Sequence, residues 1–123
     1  MKKQISSYLE DTLKYSKHIV SQSGSITRDQ FAKDFNTHLS LIRCLEVIGE
    51  ATKRLRDADA TFYERNPEVP WKSMARMRDL LIHHYEEANL DIVWDTIKKD
   101  IPVLEIKAKK ILEEYNTQQK KQK

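Results

Sequence analysis

Apolar residues return at steps of three and four along most of this chain, and the pattern breaks where Ser, Gly, Pro and Asp collect. Ile5, Tyr8, Leu9, Thr12, Leu13, Ser16, Ile19 and Val20 share one face at 100° per residue, which predicts a first amphipathic helix over residues 3–21. The cluster Ser21, Ser23, Gly24 and Ser25 ends it. Thr27 followed by Gln30 fits a capping box, so a second, short helix starts near Arg28. It leads through Phe31 and Phe35 into a long helix reaching about Arg56. The face formed there by Leu41, Cys44, Leu45, Val47, Ile48, Ala51 and Leu55 is wide enough for the central helix of a bundle.

Residues 57–70 lose the period and read as a connector, pinned to the core by Phe62 and Tyr63. Pro67 and Pro70 bracket its end, and Pro70 suits the first turn of a helix, where no backbone donor is needed. Trp71, Met74, Met77, Leu81 and Tyr85 then trace a helix to about Glu86. Asn89 offers a cap for a last long helix, with Asp91 in its first turn near the positive end of the dipole. Leu90, Trp94, Ile97, Ile101, Leu104, Ala108, Ile111 and Tyr115 form its inner seam, and Pro102 should bend it. The expected fold is all-α: an antiparallel four-helix bundle with an extra short helix and a connector. Residues 1–116 form the single domain, and residues 117–123 a basic, flexible tail.

Composition agrees with this reading. A chain of 123 residues supports one core, and two Gly, three Pro and 33% charged residues favour helix over sheet. There is no run of about eighteen apolar residues, and the amphipathic amino terminus carries acids, unlike a signal peptide. A cytoplasmic protein without a membrane partner is expected. The lone Cys44 excludes an internal disulfide, offers no thiolate cluster for zinc, and faces the core side of its helix. A net charge of +3, with Lys and Arg interspersed among Asp and Glu, permits RNA binding without arguing for it.

The candidate chemistry gathers in Met77-Arg78-Asp79-Leu80-Leu81-Ile82-His83-His84-Tyr85. Arg78 falls on the side of Met74, Leu81, Ile82 and Tyr85, so a guanidinium interrupts an apolar stripe. Burial requires a partner, and Glu46 or Glu50 of the central helix could supply one. That pairing alone would explain the arginine. His83 and His84 lie near the carboxyl end of the helix, where the dipole favours a protonated imidazole; they are either solvated end residues or proton-transfer groups. Tyr85 is a core aromatic, a modifiable hydroxyl, or both. Together an imidazole and a guanidinium could cleave RNA by moving protons and stabilising charge on phosphorus oxygens.

Arg78, four residues, His83, one residue and Tyr85 resembles the Arg-x4-His-x-Tyr signature of HepT-like proteins of the HEPN superfamily. Leu45-Glu46-Val47-Ile48-Gly49-Glu50-Ala51-Thr52-Lys53-Arg54-Leu55 is similar to that family's central helix, which reads close to LEIIGEAAKRL. Tyr63-Glu64-Arg65-Asn66-Pro67-Glu68-Val69-Pro70-Trp71 resembles its connector, and Leu90-Asp91-Ile92-Val93-Trp94 with Asp100-Ile101-Pro102 its last helix. The likeness runs from about Leu41 to Leu112. It departs at Asp79, where the family usually has Asn, and at His84, where it often has Gly.

The resemblance implies the toxin of a toxin-antitoxin pair: a metal-independent endoribonuclease, without a cofactor, acting on messenger or transfer RNA rather than DNA. It implies a homodimer whose two motifs face one cleft. Arg78 would hold the scissile phosphate and His83 would act as general acid or base, with Asp79, His84 and Glu50 in support. A minimal nucleotidyltransferase would be the antitoxin and would adenylylate Tyr85. Two other readings stay open: a non-catalytic helical adaptor of a nucleotidyltransferase, and a plain dimerisation bundle, which would leave Arg78 unexplained.

Overall fold

The computed structural model describes residues 2–83 and 89–121, with the side chains of Lys2 and Lys3 left aside. The first helix, α1, spans Lys2–Gly24, a few residues longer than the periodicity marks at its carboxyl end. Ser16 and Ser23 bond back to carbonyls three residues earlier, so these polar residues sit inside the helix without a deficit. The expected capping box opens α2 (Arg28–Lys33): the Thr27 hydroxyl accepts from the Gln30 amide at 3.1 Å, and the Gln30 side chain accepts from the Thr27 amide at 2.8 Å.

Asp34 closes α2 and caps the long helix α3 (Phe35–Ala58), its carboxylate accepting from the Thr37 amide. This break separates two aromatic residues read as one run. Phe31 is fully buried, stacks on His38 and meets Trp94 at a tilt, while Phe35 points to solvent at 70% exposure. The connector holds a helix that periodicity did not reveal, α4 (Ala60–Arg65), capped by Asp59. Phe62 is buried and Tyr63 stacks on Trp71 at 4.8 Å, as the pinning role requires. Helix α5 (Trp71–His83) follows, with Pro70 immediately before it and the Pro70 carbonyl accepting from Met74.

Asn89 caps α6 (Leu90–Asp95) as expected. A widened π turn over Thr96–Asp100 then leads into α7 (Ile101–Lys121). The Ile101 amide reaches back five residues to the Thr96 carbonyl, one residue ahead of Pro102, which has no amide to give. The widened turn absorbs the proline where an ordinary turn would clash. Helix α7 continues through residues 117–121, so most of the expected tail extends the helix.

Helix α1 packs between α3 and α7, and α3 also carries α5. Neighbours run antiparallel. Ser6 near the start of α1 bonds Asn116 near the end of α7, and Lys98 reaches the Ser23 carbonyl at the other end. Leu9, Ile19, Leu41, Leu45, Ile48, Leu55, Met74, Leu81, Ile97, Ile101 and Leu104 form the shared core. Cys44 lies in it, and burial pushes its thiol up from the usual range. The all-α bundle is as expected. Among the described residues, no helix is long and apolar enough to cross a membrane.

Candidate active site

Helices α3 and α5 meet at Gly49. A Cβ there would stand 2.5 Å from the Cβ of Arg78 and 3.3 Å from the Met74 carbonyl oxygen. The absent side chain lets α5 lie directly on α3, and Arg78 is the residue that occupies the space. With only 20% of its side chain exposed, the guanidinium needs the partner that its place on an apolar stripe demands. Of the two carboxylates that spacing allows, the structure selects Glu50: Arg78 Nε donates to Glu50 Oε2 at 2.9 Å.

Glu50 is shared. Its second oxygen, Oε1, accepts from Arg54 Nε at 3.0 Å, one helical turn further along α3. The hydrogen bond from Arg78 is the main cause holding the Glu50 carboxyl below its usual range, with Arg54 adding to it and partial burial opposing it. Two guanidiniums on one carboxylate leave one unit of positive charge in excess. Asp79 offsets part of it, its Oδ1 lying 3.5 Å from Arg78 Nη1, but that carboxylate is 68% exposed and weakly coupled.

His83 is the last described residue of α5 and is exposed. Five helical steps from Arg78 put it about 140° further round the axis and about 7.5 Å along it. Within one chain, then, Arg78 turns towards α3 while His83 stands on a different side of α5. Ile82, read as part of the buried stripe, is 45% exposed and forms the rim of an open cleft with Tyr8, Val47 and Glu50. His84 and Tyr85 lie outside the described residues.

Arg78 lines a separate, smaller recess of about 240 Å³ with Lys53, Arg56, Tyr63, Trp71 and Asp79. Sequence reasoning did not single out Gly49, Lys53, Arg54 or Arg56. Gly49 in mid-helix and Arg54 four residues after Glu50 were readable signals; Lys53 and Arg56 look like ordinary exposed helix cations until α5 is set against them. Among the described residues, no three His, Cys, Asp or Glu side chains gather as a metal site.

A family model described as Ribonuclease HepT-like matches residues 5–111. The chain is 45% identical over 101 residues to "Putative RNase MJ0127" of Methanocaldococcus jannaschii, covering 82% of this chain and 81% of that protein. It is 40% identical over 111 residues to "Probable ribonuclease HepT" of Thermococcus cleftensis, covering 90% of this chain and 98% of that one. Similarity to "Putative RNase TTE0752" of Caldanaerobacter subterraneus subsp. tengcongensis is 42% over 106 residues, or 86% and 92% of the two chains. No solved structure matches the chain.

Proposed function

The chain belongs to the HepT-like ribonuclease family, and we propose that it is an RNA endonuclease whose working residues are Arg78 and His83. The observation that carries this reading is Arg78 itself: an arginine four-fifths buried, oriented through Nε by Glu50, and lining an open recess. A guanidinium held by one edge is preorganised to meet phosphate oxygens with the rest of its planar fork. Preorganised charge of this kind stabilises the dianionic phosphorane of phosphoryl transfer without reorganising during the reaction.

In the proposed reaction the ribose 2′-hydroxyl gives up its proton and attacks the adjacent phosphorus. The bond to the 5′-oxygen breaks, and that oxygen takes a proton. A cyclic phosphate and a free 5′-hydroxyl result. His83 serves one of the two proton transfers, since an imidazole ring can take up a proton as base or give one up as acid. Because Arg78 and His83 of one chain diverge by about 140° around α5, two copies facing each other would bring an arginine from one to a histidine of the other. We therefore place the reaction in a homodimer.

The chain is further proposed as the toxin of a pair whose antitoxin is a minimal nucleotidyltransferase. Adenylylation of Tyr85 would join its phenolic oxygen to the α-phosphorus of ATP with release of pyrophosphate. The added phosphate would sit two residues from His83 in sequence and compete for the cation that the RNA needs.

The test is incubation of freshly made protein with labelled total RNA and transfer RNA in EDTA, beside Arg78→Ala and His83→Ala. Wild type alone should cut, leaving cyclic-phosphate ends. If intact, unmodified protein leaves RNA whole, the bundle is instead an adaptor of the nucleotidyltransferase.

A further inference from the structure

We infer that the α3 side of the recess lined by Arg78, with Lys53 and Arg56 as its cations, is a subsite for the RNA phosphate next to the scissile one. The inference rests on the ribonuclease reading and adds to it the residues that hold the neighbouring nucleotide.

Lys53 and Arg56 follow Glu50 on α3 at intervals of three residues, so they lie about 4.5 and 9 Å further along the helix. Both line the same recess as Arg78, facing α5 across it. Three cations and one carboxylate, Asp79, therefore meet around about 240 Å³. That space falls below the roughly 300–1,000 Å³ of sites that enclose drug-sized ligands, and it suits a phosphate with part of its sugar. Tyr63 and Trp71 give it a rigid wall: their rings stack at 4.8 Å, and the Trp71 indole donates to the Asn66 carbonyl at 2.9 Å.

The ion pairs that Lys53 and Arg56 already make do not compete strongly. Both reach Asp57, at 3.4 and 3.6 Å, and both side chains are more than 40% exposed. Such surface pairs are worth little and are readily exchanged for a phosphate that offers more acceptors. A strand with one phosphate at Arg78 thus passes the next over a pair of cations held near their working positions.

The experiment uses an RNA oligonucleotide containing one mapped cleavage site, and versions with a neutral methylphosphonate at the phosphate on either side of it. Rates are compared for wild type and Lys53→Gln/Arg56→Gln, one half-buried and one exposed position outside the core; thermal melting checks that the fold is kept. The double variant should lose roughly tenfold or more in kcat/KM on unmodified RNA. Its salt dependence should fall by about 0.7 for each phosphate contact removed. At one of the two positions, the methylphosphonate should cost wild type the same factor and the variant nothing further.

If the two losses multiply at both positions, the cations do not hold a neighbouring phosphate and the inference fails while the ribonuclease stands. If wild type cuts none of the oligonucleotides, the ribonuclease reading fails, and the subsite with it.

Discussion

Gly49 and Arg78 touch where α3 crosses α5, so closely that a single methyl group on Gly49 would overlap the Arg78 Cβ at 2.5 Å. That contact sets how far the guanidinium stands from Glu50, and it joins the packing of the bundle to the geometry of the proposed site.

Gly49→Ala therefore has two opposed effects. Removing a mid-helix glycine favours the helix by about 0.5–1 kcal/mol. Overpacking a tight contact costs about 1–3 kcal/mol, and here the neighbour is a Cβ next to the backbone, which cannot swing aside. Packing should win: denaturant titration should show net destabilisation together with reduced cleavage. A more stable, fully active variant would mean that α5 moves freely at this point.

Arg78→Lys keeps the charge and loses the fork. A lysine can approach Glu50 or a phosphate as a point charge, but cannot hold both in one plane. Cleavage should fall by about 10²–10³, as for loss of one transition-state donor, with little change in melting temperature. Activity within a fewfold of wild type would show that only the charge matters.

Glu50 makes a prediction in pH. Its carboxyl is held low in the folded chain, chiefly by the Arg78 hydrogen bond, and returns to the ordinary glutamate value of about 4.3 on unfolding. The unfolded chain thus takes up its proton first as pH falls. The stability this group adds is complete above that ordinary value and fades as pH drops through the lowered one. Unfolding free energies of wild type and Glu50→Gln should differ near pH 7 and converge in acid. In Arg78→Ala, carbon-detected NMR should find the Glu50 carboxyl titrating higher, with Arg54 still holding part of the shift.

Phe31 anchors the short α2, stacking on His38 of α3 at 5.3 Å and meeting Trp94 of α6 at a tilt at 5.2 Å. Phe31→Ala should cost about 3–5 kcal/mol in chemical denaturation. Phe35→Ala, at a 70% exposed position four residues on, should change the stability of the isolated chain by less than about 0.5 kcal/mol. Equal losses at the two positions would contradict the break at Asp34.

Much of this was readable without coordinates. The three- and four-residue recurrence marked the long helices because each must bury one face, and the Thr27–Gln30 box and the Asn89 cap were legible because capping is local chemistry within a few residues. The family likeness came from the same chain, through the central-helix segment and the Arg78 to Tyr85 spacing. Helix α4 escaped because six residues are too few to show a period, and the split between Phe31 and Phe35 because one aspartate can cap the next helix and end the previous one together. The π turn was visible only as a proline out of place.

What the sequence could not decide lies between helices. It offered Glu46 and Glu50 equally to Arg78, since both lie on the central helix; the crossing at Gly49 fixed the depth and rotation of α5 and gave the bond to Glu50. It did not set Lys53 and Arg56 apart, and packing placed them with Arg78 around one recess. Periodicity and capping act within a few residues and are written in the chain. The meeting of side chains 22 to 28 residues apart depends on how two rigid helices cross, which only the packed bundle sets.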